Sequence, residues 1–110
     1  MQALLDRSSP RDLPRAREKE LVALASRIWR ADITGAERTR WPEYFTGAPL
    51  RAAYRKVRIQ AGIARTADSH TGRVRVRLVW AGTTPAGQKQ DGRLAQILLD
   101  RRGAVWRPVR

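Results

Sequence analysis

Residues 73–80 read Arg-Val-Arg-Val-Arg-Leu-Val-Trp, and this stretch decides the fold. Val74, Val76, Leu78 and Trp80 alternate with Arg73, Arg75 and Arg77. A period of two puts the apolar set on one face of a strand and the arginines on the other. Upstream, Val57, Ile59, Ala61 and Ile63 alternate with Lys56, Arg58 and Gln60, which gives a strand over 56–65. Residues 66–72 are polar and read as a turn. Downstream, 82–92 reads as a long polar hairpin loop holding Pro85, Gly87 and Gly92. Residues 93–100 form a third strand, apolar on both faces: Leu94 and Leu98 on one, Ala95, Ile97 and Leu99 on the other. Asp100 to Gly103 is a tight turn with glycine at the left-handed position, and 104–109 is the last strand.

Ahead of the strands the period is 3.6. From Arg15 to about Ile33, the residues Leu21, Leu24, Ala25, Ile28, Trp29 and Asp32 form one stripe, and Gly35 suits a left-handed C-cap. Ser9 before Pro10 fits an N-cap followed by proline at a first helical position. Pro42 suits the first turn of a short helix that carries Tyr44 and Phe45 and stops at Gly47. A further short helix is expected over 50–56. Helices first and a meander second give an α+β fold, with a long N-terminal helix and short helices packed on a four-stranded antiparallel sheet.

Composition narrows the function classes. The chain has 110 residues, enough for one core and not for two. There is no cysteine, which excludes disulfides, thiolate zinc sites and thiol nucleophiles. One histidine and acidic residues scattered over separate loops give no metal-ligand spacing, and no cofactor is expected. Gly82 to Gly92 echoes a phosphate-binding loop, but it lacks the Gly-Lys-Ser/Thr register and joins strand to strand. No apolar run approaches the ~18 residues of a membrane span, and the first residues lack a secretory apolar core. A cytoplasmic location is therefore expected. The 23 basic residues exceed the 10 acidic ones by a formal charge of +13, and all but Lys19, Lys56 and Lys89 are arginine. Such an excess fits an anionic partner.

The order of elements, with Ile28-Trp29 on the long helix, Tyr44-Phe45-Thr46-Gly47 before the next segment, and a final Gly103-Ala104-Val105-Trp106-Arg107-Pro108-Val109, resembles the NTF2-like (cystatin-related cone) superfamily. Within it the chain resembles actinobacterial conjugation-accessory domains of the VirB8 and TcpC type. It departs from them in lacking a membrane-spanning helix. The resemblance implies a curved sheet wrapped on the long helix around a cone-shaped cavity. It divides the chain into a basic N-terminal arm or lead-in helix at 1–14 and an NTF2-like α+β domain at 15–110.

Three functional readings follow. The first is a small non-enzymatic module for protein–protein interaction or oligomerisation, an accessory of a DNA-transfer or plasmid-borne system. A homodimer through the sheet is expected, with Leu94 and Leu98 at its interface, because one layer of helix covers only one face of the third strand. The second is a sequence-independent DNA- or RNA-binding protein. Arg73, Arg75 and Arg77 would stand ~6.6 Å apart on one strand face, with Arg58 joining from the neighbouring strand. Against it stands a solvated face whose arginine stems cover the sheet. The third is a small ligand-binding or enzymatic cone with Asp32, Tyr44 and Trp29 in the cavity. Desolvation there would make Asp32 a base; otherwise it lies solvated or arginine-paired at the helix end. His70, in Asp68-Ser69-His70-Thr71-Gly72, reads as a surface-turn histidine, and no catalytic residue is assigned.

Overall fold

The computed structural model describes residues 2–8, 10–47 and 53–110. Its helices are α1 (Gln2–Ser8), α2 (Arg15–Thr34) and α3 (Pro42–Phe45), with a 3₁₀ turn at Arg38–Arg40 between the last two. The strands are β1 (Arg55–Asp68), β2 (Arg73–Thr83), β3 (Lys89–Arg102) and β4 (Val105–Val109). They pair antiparallel in chain order, as an α+β meander.

α2 forms because its apolar residues recur at the helical spacing. Leu21, Ala25, Ile28 and Ala31 are all buried. Gly35 ends the helix at φ 81°, and its N–H donates to the Ala31 carbonyl at 3.0 Å. The stripe lies on the inner face of the sheet, where Val74, Val76, Leu78 and Trp80 of β2 meet Ala64 of β1 and Ala95, Ile97 and Leu99 of β3. Helix and sheet come close at Gly62: a Cβ there would lie 2.6 Å from Val22 Cγ1.

Several expectations change. The loop expected over 82–92 shrinks to 84–88, because Gly82 and Thr83 pair with Gln90 and Lys89. Thr84 closes it, donating its N–H to the Gln88 carbonyl and accepting from Gly87 N–H, each at 2.9 Å. Arg55 and Lys56 open β1, since β2 is long enough for Arg55 to pair with Thr83. The rest of the short helix expected over 50–56 falls largely outside the described residues, as does Ser9. Pro10 begins no helix; α2 starts instead behind Pro14.

Residues 2–8 form the lead-in helix rather than a loose arm. α1 lies along β1. Arg7 and Arg11 are matched in the segment by Asp6 and Asp12, so it carries no net charge. Its polar groups serve the free edge of β1. Gln2 accepts from Gly62 N–H at 2.9 Å and donates to the Gly62 carbonyl at 2.8 Å. The Asp12 carboxylate accepts from Thr66 N–H at 3.1 Å. Between them, Glu18 of α2 accepts from Ala64 N–H at 3.1 Å. Glu18 also pairs with Arg65 and, at 3.3 Å, with Arg11. Edge amides left bare would recruit another strand, and here side chains occupy them.

Candidate interaction surface

The sheet has two faces, and α2 covers one. On the other, Arg75 and Arg77 point outward and are exposed, while Arg73 is partly buried. The strand period spaces these three by ~6.6 Å. None of them forms an ion pair among the described residues. Arg58 is exposed but set apart from the row. Its partner on β2 is Ala81, four residues beyond Arg77, or ~13 Å along the strand. The arginine that β1 places beside Arg75 is Arg65. Arg65 is buried, bound to Glu18 and Asp6, and so withdrawn from the row.

β3 continues this outer face. Leu94 pairs with Val79, Gln96 with Arg77, and Leu98 with Arg75 on one side and Val109 on the other. Leu94 is 77% exposed, and Val105 beyond the turn is 65% exposed. Leu98 is half-buried. The face therefore alternates apolar and cationic groups. The inner partners Ala95, Ile97 and Leu99 sit in the core, so the two-faced reading of this strand holds.

The three candidate cavity residues, Asp32, Tyr44 and Trp29, each have partners of their own. Asp32, in the last turn of α2, lies under Arg38, whose guanidinium donates to the Asp32 carbonyl at 2.6 Å and the Ala31 carbonyl at 3.0 Å, and approaches the carboxylate at 3.5 Å. This is the arginine-paired helix end. Tyr44 is held protonated: burial raises its pKa, the nearby Arg110 opposes this, and Asp32 adds to it. Arg110 stacks 4.0 Å from the Tyr44 ring and donates to its carbonyl. Trp29 packs on Trp80 at 5.5 Å, and Tyr54 meets Trp80 edge-on at 5.3 Å. The indole N–H groups of Trp29 and Trp80 find no acceptor among the described residues. That aromatic cluster holds no converging acid–base pair. His70 is exposed in its turn, where its N–H donates to Asp68 at 2.9 Å.

Two grooves run beside α2 and β1. The larger, about 600 Å³, is lined by Ala23, Ser26, Arg27, Arg30, Val57 and Ile59 among others. The smaller, about 290 Å³, includes Arg15, Lys19, Val22 and Gly62. A third of about 220 Å³ lies between Trp41 to Tyr44 and Arg107–Pro108. None of the three brings Asp32, Tyr44 and Trp29 together. Sequence reasoning missed the role of Glu18. Its signal was position: it stands three residues before Leu21, on the buried stripe.

No group of three or more potential metal ligands and no helix long and apolar enough to cross a membrane occurs among the described residues. Comparison with family models, with curated proteins and with solved structures finds no match.

Proposed function

We propose that the chain is a non-enzymatic interaction module that self-associates through the outer face of its sheet. The observation that carries this reading is Leu94, 77% exposed on the outer face of β3, in line with Leu98 and Val109. The likeness to the NTF2-like superfamily belongs to the same reading. Its support is the helix-first order and the meander laid on α2. A role beside a DNA-transfer system rests on that likeness alone.

A second reading, sequence-independent binding of DNA or RNA, draws on Arg75 and Arg77, which are exposed and without ion pairs among the described residues. Salt separates the two. Face-to-face copies bring like-charged arginine rows together, so screening strengthens their association. Phosphate contacts release counterions, so salt weakens them by a log–log slope of about 0.9 per contact on duplex DNA. Sedimentation equilibrium at high micromolar concentration, in low and high salt, is the test, with anisotropy of a labelled duplex alongside. The expected result is a dimer that tightens with salt and is lost in Leu94→Arg. A single-chain mass at both salts overturns self-association. Duplex binding that weakens with salt and responds to Arg75→Ala then favours the second reading.

A further inference from the structure

The free side of β1 is divided. From Gly62 to Thr66 it is closed by Gln2, Glu18 and Asp12. From Arg55 to Ala61 no side chain or loop backbone among the described residues caps that side. There the larger groove separates β1 from α2. Ala31, Val57 and Ile59 give it an apolar floor, and the exposed Arg27 and Arg30 stand at its rim. Arg15 and Lys19, one helical step apart, continue the same side of α2 in the smaller groove. None of these four cations is ion-paired among the described residues.

Backbone strain gathers at the same place. Among the described residues, Glu37 (φ 58°) and Lys56 (φ 52°) are the two non-glycine residues with left-handed φ. Glu37 lines the groove, and Lys56 precedes Val57 in an irregularity of β1 between Arg55 and Arg58. Strained residues and bulges persist where the surroundings over-determine them, and they cluster at sites of function.

We propose that this groove binds an acidic peptide segment in extended conformation, added to β1 as a further strand. The uncapped edge supplies backbone hydrogen bonds, which give affinity without sequence preference. The apolar floor takes side chains that point inward. Arg27 and Arg30 take carboxylates, with Arg15 and Lys19 extending the attraction. Seven regular strand residues would span about 23 Å; the irregularities between Arg55 and Arg58 and between Ile59 and Ala61 shorten this stretch, so it matches a peptide of at most about that length. Nucleic acid fits less well: the lining has no aromatic side chain for a base to stack on.

The test uses the full chain and a dye-labelled, end-blocked peptide of alternating glutamate and valine. Anisotropy reads affinity, and amide exchange reads where the peptide sits. Binding is expected with slowed exchange at Val57 to Ile59. Arg27→Ala with Arg30→Ala should weaken it about tenfold or more. Arg27→Lys with Arg30→Lys should restore part of it, and Arg93→Ala should change it less than about twofold. Circular dichroism confirms that the variants are folded. Four results overturn the proposal: no binding in low salt, equal loss in Arg93→Ala, exchange protection elsewhere than β1, or displacement by oligothymidylate at equal concentration. Each leaves the self-association reading untouched, because that reading is scored on sedimentation and Leu94.

Discussion

Tyr44 shows how one side chain's surroundings settle its chemistry. Burial is the largest influence and raises its pKa; Arg110 pulls the other way and Asp32 reinforces burial. The folded chain therefore holds the phenol proton to higher pH than the unfolded chain does. Above the ordinary tyrosine pKa of about 10, the unfolded state ionises first, so this group's contribution to stability is present below that pH and is lost as the pH rises through the folded value. Tyr44→Phe should flatten part of the alkaline loss of stability, read as denaturant midpoints across about pH 10. A profile unchanged by the substitution would count against the burial. The contact from Arg110 to the Tyr44 carbonyl survives the change, so the phenol alone is probed. The sequence offered two readings of Asp32, and Arg38 decides between them. Pairing with an arginine was open to the sequence, but which arginine was not, because Arg38 reaches Asp32 only once the chain has turned after Gly35.

At the scale of elements, β1 depends on residues far from it in the chain. Gln2 and Asp12 hold its edge amides across 60 and 54 residues. Replacing both by alanine should speed amide exchange at Gly62 and Thr66 while leaving Val76, in the middle of β2, unchanged. Equal rates at Gly62 in the variant and the parent would mean that the edge is protected by something other than these side chains. Alternation in 73–80 was enough to read β2, because its side chains are sorted by burial and the period is two. The length of β3 was not legible. Lys89 to Gly92 is polar and rich in turn formers, yet pairing with β2 extends the strand through it. Tertiary pairing outweighs local propensity there. The edge cover was not legible either, since nothing in Gln2 or Asp12 alone names its partner.

Across the whole molecule, one helix and one sheet share a single core. Leu21, Ile28, Val76, Leu78, Ile97 and Leu99 are all fully buried between them. Ile28→Ala should cost ~2–5 kcal/mol and lower the melting temperature of the entire domain in one transition. An unchanged melting temperature would contradict the packing of α2 on the sheet. The α+β order was readable because period 3.6 gives way to period 2 once along the chain. The groove between α2 and β1 was not, because it is a space between elements and no residue pattern encodes it. The same holds for the outer face: Arg73, Arg75 and Arg77 were visible as a row, but the withdrawal of Arg65 to Glu18 required the fold.

The covered edge of β1 also has a meaning in time. Synthesis runs from the N-terminus at about 5–20 residues per second. α1, Asp12 and Glu18 all precede β1 in the chain. They have left the ribosome seconds before Gly62 to Thr66 appear. That stretch of the strand thus emerges into the company of its own cover, and the interval in which its bare edge could capture a neighbouring nascent chain is shortened by the order of the sequence itself.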